Sequence, residues 1–146
     1  MKQFAILALL LAFIPAVFAQ GAKPADPNAA ALASLQGKWV INSLNGQTAA
    51  EGGMEISLTF TGDKYAQTMN GEVNERGTIK LDASKKPMTI DLIITEGGDA
   101  GKTQLGVIEI TGDKLTANLD IPGAGQRPSD LSPREGSLLF VATKAK

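Results

Sequence analysis

The sequence contains neither cysteine nor histidine. Without histidine, the chain cannot form a Ser-His-Asp triad, an imidazole general base or an imidazole metal site. Without cysteine, it has no disulfide, no thiol nucleophile, no thiolate-bound zinc and no lipid attachment through an N-terminal cysteine. Because these absences remove the commonest catalytic and metal-binding groups, we expect a protein that is not an enzyme, with no catalytic residue, no metal and no cofactor.

An excess of charge of one sign is also absent. The chain has 14 Lys and Arg against 15 Asp and Glu, which gives a formal net charge of −1. A near-neutral chain with scattered charges offers no basic surface for nucleic acid or for an anionic membrane. We therefore expect no nucleic-acid partner.

The longest apolar run lies at the N-terminus and includes Phe4 to Phe13. Pro15 follows shortly after it, and Val17 and Ala19 are small residues at the −3 and −1 positions of a signal-peptidase site. A membrane anchor is the alternative, but a span needs about 20 apolar residues. The pattern predicts a signal peptide over residues 1–19, no membrane span after cleavage, and a periplasmic or extracellular location.

Residues 20–30 are small, polar and proline-containing, which predicts a linker. Asp26 and Pro27 are typical of the first two positions of a helix, and the residues up to Leu35 favour helix. We expect a short helix near residues 27–35 and a barrel domain over residues 31–146.

From Lys38 onward, apolar and polar residues alternate with the period of a β-strand. Asn70-Gly71 is a strong hairpin signal. The tetrapeptide Thr-Gly-Asp-Lys occurs at 61–64 and again at 111–114, which indicates two similar turns. The predicted strands are 38–44, 55–60, 64–69, 77–81, 88–95, 103–110, 115–120 and 137–143.

Eight short strands with hairpin-length connections predict an all-β fold. The simplest closure is an eight-stranded antiparallel up-and-down barrel with a short N-terminal helix, and two packed sheets are the alternative. We expect a monomer. Strand parity directs one set of side chains into the core: Trp39, Ile41, Ile56, Leu58, Phe60, Ile90, Leu92, Ile108, Ile110, Leu138 and Phe140.

Two carboxylates lie within these strands, and each could face either the interior or the solvent. Asp91 and Glu109 alternate with apolar residues that point inward, which places both on the outer surface. Had either pointed inward, it would be a buried acid with a shifted pKa. Buried unpaired carboxylates are rare, so the outer position is expected.

Several segments carry a resemblance to a known family. They are LQGKW at 35–39, SKKPMTIDL at 84–92, EGGDAGKT at 96–103, LGVIEITGDKL at 105–115, Pro122-Gly123 and Arg127-Pro128. The chain resembles a lipocalin-like, calycin-type family of small secreted proteins of unknown function, common in planctomycetes. The resemblance implies a barrel floor in which Gly37 precedes Trp39 and Lys144 packs over the tryptophan. It implies no catalytic site.

The expected function is to bind a small apolar or amphipathic molecule outside the cytoplasm. The alternative is a non-catalytic structural or interaction domain of the cell envelope with a filled core. Because the inward residues are apolar, we expect a ligand with no fixed charge. The candidate ligand-binding residues of the interior are Trp39, Ile41, Phe60, Tyr65, Met69, Met88 and Ile90.

Overall fold

The computed structural model describes residues 26–146, one short helix followed by nine β-strands. The predicted signal peptide and residues 20–25 of the predicted linker lie outside the described residues. The elements are α1 (Pro27–Leu35), β1 (Gly37–Leu44), β2 (Gln47–Thr48), β3 (Ile56–Thr61), β4 (Lys64–Met69), β5 (Glu72–Asp82), β6 (Met88–Glu96), β7 (Thr103–Thr111), β8 (Lys114–Asp120) and β9 (Ser137–Lys144).

The helix forms where the sequence predicts it. Asp26 caps its first turn, because the carboxylate accepts a hydrogen bond from the backbone N–H of Asn28 at 3.0 Å, and Pro27 occupies the first turn without losing a bond. Residues 27–30 of the predicted linker are therefore helical. Gln36 then fixes the end of the helix to the β3–β4 turn by exchanging two hydrogen bonds with the backbone of Gly62.

The strands close into an antiparallel barrel, which confirms the predicted fold. Eight strands pair in chain order from β1 and β3 to β9, and β9 pairs back with β1. Because closure leaves no free edge between first and last strands, the backbone hydrogen bonds run around the whole barrel. In the part of the chain that the structure describes, no helix has the length and apolar character needed to cross a membrane.

Hairpins join most neighbouring strands, and their turns follow the sequence signals. Asn70 and Gly71 both have positive φ, as a tight turn between β4 and β5 requires. The two Thr-Gly-Asp-Lys segments form identical turns, in which the threonine pairs with the lysine. The repeated tetrapeptide therefore forms the same kind of hairpin turn at two places in the barrel.

The interior contains the predicted core. All the residues predicted to point inward are buried except Ile110 and Leu138, which are half-buried and pack against the others. Asp91 and Glu109 lie on the outside, where Glu109 is exposed and Asp91 is partly covered. The alternation of residues along the strands thus predicted correctly which of these side chains face the core and which face outward.

Candidate functional site: a cavity at the open end of the barrel

One end of the barrel is closed by Trp39. Its indole is fully buried, and Nε1 donates a hydrogen bond to the carbonyl oxygen of Leu35 at 2.7 Å. Lys144 lies over the same ring, with Nζ 5.3 Å from the ring centroid. Gly37 has a φ of +103°, and a side chain there would press against the Lys144 Cε. A glycine, the tryptophan and the lysine thus form one packed floor.

Above this floor the barrel is packed almost solid. The remaining space has a volume of about 10 Å³, roughly that of a single water-sized probe. Leu35 enters it from the helix, and the other walls come from the strands. The side chains that fill it are Leu35, Leu58, Phe60, Ile90, Leu92, Ile108, Leu115, Ala117, Leu119 and Phe140.

The other end of the barrel contains a cavity of about 310 Å³. Cavities that bind small molecules usually measure roughly 300–1,000 Å³, so this one is at the lower limit of that range. Most of its wall is apolar and comes from the open-end halves of the strands. The lining residues are Ile41, Leu44, Ile56, Leu58, Tyr65, Gln67, Met69, Glu75, Leu92, Gln104, Leu119, Pro122, Leu138 and Phe140.

A tyrosine and a carboxylate form the polar side of this cavity. Tyr65 is 3% exposed, and its hydroxyl donates a hydrogen bond to Glu75 Oε1 at 2.8 Å. Burial, together with the hydrogen bond and the negative charge of Glu75, raises the pKa of Tyr65 far above its usual range. The hydroxyl therefore stays protonated and remains a donor at neutral pH.

Local features of β5 place this pair inside the barrel. Gly77 lies opposite Tyr65, and a side chain at Gly77 would meet the tyrosine ring at 2.7 Å. A register shift follows in the β4–β5 pairing, where Gln67 pairs with Glu75 and Thr68 with Val73. The glycine makes room for the ring, and the register puts Glu75 directly beside Gln67 at the cavity wall.

The predicted ligand-binding residues separate into four places. Ile41, Tyr65 and Met69 line the cavity. Phe60 and Ile90 belong to the packed middle, and Trp39 lies in the floor. Met88 lies beside the helix, in a groove at the closed end.

At the open end the interior is not wholly apolar. Gln67, Glu75 and Gln104 line the cavity. The sequence analysis missed Glu75 because it limited the strand that corresponds to β5 to residues 77–81. It missed Gln67 and Gln104 because it read only apolar residues as inward. The sequence does contain a signal for the longer β5 strand. A tight turn at Asn70-Gly71 pairs the residues on either side of it, which extends β5 back toward Glu72 and Glu75.

Two other depressions have different chemistry. The larger, about 720 Å³, lies between α1 and the closed-end tips of β6 and β7, and we call it the basal groove. It is more open to solvent than the cavity, and Lys85, Lys86 and Lys144 line it together with Glu109. A side depression of about 350 Å³ shares Leu44 and Ile56 with the cavity and also contains Glu51.

The long loop before β9 covers the outside of the barrel wall. Residues 121–136, which we call the strap, lie across β6, β7 and β8. Arg127 donates hydrogen bonds to the carbonyl oxygens of Ile90 at 3.0 Å and Gly106 at 2.9 Å, and pairs with Asp91 at 2.5 Å. Arg127 is therefore bound to the outer wall and is not part of the cavity.

Metal binding has no geometric support among the described residues. No group of three or more Asp or Glu side chains within residues 26–146 is placed to hold a metal ion. The polar groups of the cavity are one carboxylate, one phenol and two amides, which suit hydrogen bonding to a ligand.

The fold and the site define a class: a closed eight-stranded antiparallel barrel with a sealed, packed base and a small cavity at its open end. No protein-family model matches the chain, and no curated protein matches it.

Proposed function

We propose that the protein binds a small, mainly apolar molecule in the cavity at the open end of the barrel. The observation that carries the proposal is the contrast between the two halves of the interior. About 10 Å³ remains in the packed half and about 310 Å³ in the other. The packed half supplies a rigid base, and the open half retains a space that its own side chains do not fill.

The size of the cavity limits the ligand and its affinity. A ligand that buries ~200 Å² of apolar surface would gain about 5 kcal/mol, before the cost of immobilisation. An affinity near 100 μM corresponds to about −5.5 kcal/mol. Because immobilisation reduces that gain, we expect dissociation constants of about 100 μM to 1 mM for well-fitting molecules, and no measurable binding for ligands too large for the space.

The proposal includes export to the periplasm or the exterior. It is supported by the apolar run from Phe4 to Phe13 and by the small residues Val17 and Ala19 before Gln20. Intact-mass measurement of the protein from its native host should give a chain beginning at Gln20. A chain that retains Met1 would contradict export by this route.

Calorimetric titration with 1-octanol, an uncharged probe, tests the binding function. The wild-type protein should bind one molecule with a dissociation constant below about 1 mM, which corresponds to about −4 kcal/mol. Met69→Trp places an indole at the cavity wall and should abolish binding. Lys80→Trp places the same indole on the exposed face of β5 and should leave binding unchanged.

A structural or interaction domain with a filled core is the second candidate. The packed middle of the barrel favours it. It becomes the better account if the wild-type protein binds no probe, or if Met69→Trp binds as well as the wild type.

A further inference from the structure

Side chains of opposite charge line the depressions at the two ends of the barrel. At the open end, Glu75 is the charged residue that lines the cavity and Glu51 the one that lines the side depression. Neither lining, within residues 26–146, includes a lysine or arginine. At the closed end, the basal groove has three lysines against one glutamate. A charged ligand head will therefore distinguish strongly between the two ends.

Glu75 is placed to receive a cationic group. It is half-buried, and one of its oxygens, Oε1, accepts the Tyr65 hydroxyl. Among the described residues, the other oxygen accepts no hydrogen bond, and none of the ion pairs includes Glu75. The neighbouring Arg76 pairs with Glu96 instead, at 3.2 Å. The carboxylate thus faces the cavity without a counter-charge.

Other hydrogen-bond acceptors line the same cavity as Glu75. Gln67 lies directly across from Glu75 in the β4–β5 pairing, so its amide oxygen is a second acceptor close by. Gln104 uses its Nε2 to donate to the Asp120 carbonyl at 2.7 Å, which leaves its Oε1 as an acceptor. An ammonium group carries three donors and no acceptor, and it matches such a set.

We infer that the cavity prefers an amphiphile whose polar head is a protonated amine, and that Glu75 binds that head. The inference rests on the proposed function and names the ligand class of the same cavity. It revises the expectation of a ligand with no fixed charge, because the apolar wall takes the ligand body while the Glu75 side takes a cation. A ligand carboxylate would instead be repelled by Glu75.

A matched probe series tests the inference by calorimetry. Octylamine, 1-octanol and octanoate share one hydrocarbon chain and differ in the charge of the head. The wild-type protein should bind octylamine about tenfold more tightly than 1-octanol, because a hydrogen bond to a charged group is worth more than a neutral one. Octanoate should bind the cavity more weakly than 1-octanol.

Three variants assign the preference to its residue. Glu75→Gln keeps the shape of the side chain and should lower the ratio of octylamine affinity to 1-octanol affinity from about ten to about one. Tyr65→Phe keeps the carboxylate and should retain the preference. Glu109→Gln removes the carboxylate of the basal groove and should leave the affinities for all three probes unchanged.

The outcomes separate the inference from the function on which it rests. If 1-octanol binds and octylamine binds no better, the amine preference is wrong and the binding function stands. If octylamine loses affinity in Glu109→Gln but not in Glu75→Gln, the amine occupies the basal groove and the inference is wrong. If no probe binds the wild-type protein, both the proposed function and the inference that rests on it are wrong. The relative affinities of the three probes for the wild-type protein test the amine preference even if Glu75→Gln does not fold.

Discussion

At the scale of single residues, Trp39 connects the helix to the barrel. Its indole is buried in the floor, its N–H is bonded to the last residue of the helix, and the Lys144 ammonium lies over its ring. These contacts use different parts of one side chain: the ring for packing, the nitrogen for a hydrogen bond and the π-face for a cation. A smaller residue would lose all three.

We predict that Trp39→Ala lowers the free energy of unfolding by about 3–5 kcal/mol, the usual cost of a large-to-small change in a core. Urea-induced unfolding followed by circular dichroism measures it. Lys38→Ala, at the exposed neighbouring position, is the control and should change the free energy by no more than about 0.5 kcal/mol. A loss below about 1 kcal/mol for Trp39→Ala would mean that the indole is not part of the core.

Tyr65 provides a pH test, because it is the only tyrosine in the chain. In the unfolded chain its pKa is about 10, and burial beside Glu75 raises the pKa in the folded protein. A group with a raised pKa stabilises the fold fully below the unfolded value, and that contribution is lost as the pH rises beyond it. The phenolate absorbance should therefore be missing from the folded protein at about pH 11.

The same titration in concentrated urea is the control, since the released tyrosine should then ionise near pH 10. Phenolate formation near pH 10 in the folded protein would show that Tyr65 is not held by Glu75 inside the barrel.

At the scale of elements, the strap shows how an irregular segment can be fixed to a sheet. Arg127 reaches two strands at once, since it donates to carbonyls of β6 and β7 and pairs with Asp91. Asn118 on β8 donates to the carbonyls of Asp130 and Ser132, both at 2.9 Å. The strap covers the outer face of these strands, so Asn118 and Asp120 are buried although they point away from the core.

We predict that Arg127→Met destabilises the fold by about 1.5–3 kcal/mol, because it removes the charged donor to Asp91 and to the Ile90 and Gly106 carbonyls. Arg76→Met is the matched control. Its pair with Glu96 is exposed, and such pairs contribute about 0–1 kcal/mol. Chemical denaturation gives the free energies, and hydrogen exchange should show faster exchange within residues 121–136 for Arg127→Met alone. Equal losses in the two variants would contradict the role given to Arg127.

Most elements could be predicted from the sequence, because alternation and turn residues are local signals. The eight barrel strands, the helix and the Asn70-Gly71 turn are all confirmed. The two-residue strand β2 was missed, although Asn45-Gly46 is the same turn signal and both residues have positive φ. The start of β5 was missed because residues 72–76 are polar apart from the exposed Val73, and only the pairing with β4 makes them a strand.

The candidate site was harder to predict than the fold. Parity gave the inward face of each strand, but it could not say which inward residues would meet in the packed middle. Phe60 and Ile90 lie there, whereas Ile41, Tyr65 and Met69 border open space. That difference depends on how side chains from several strands fill one volume, and no single segment contains it.

At the scale of the whole molecule, the barrel is divided along its axis. The helix, Trp39 and a packed middle close one end, and the other end keeps a cavity that carries a carboxylate. An eight-stranded barrel is at the size where the interior can either be filled by side chains or hold one small ligand. In this barrel, side chains fill one half of the interior, and the other half keeps a cavity of the size of a small ligand.

A crystal structure of the protein with octylamine is the measurement that tests this account most directly. We predict electron density for one molecule in the open-end cavity, with its alkyl chain between Met69 and Leu138 and its nitrogen about 2.7–2.9 Å from Glu75 Oε2. Density only in the basal groove, or a cavity filled by its own side chains, would contradict the claim that the open end of the barrel is a binding site.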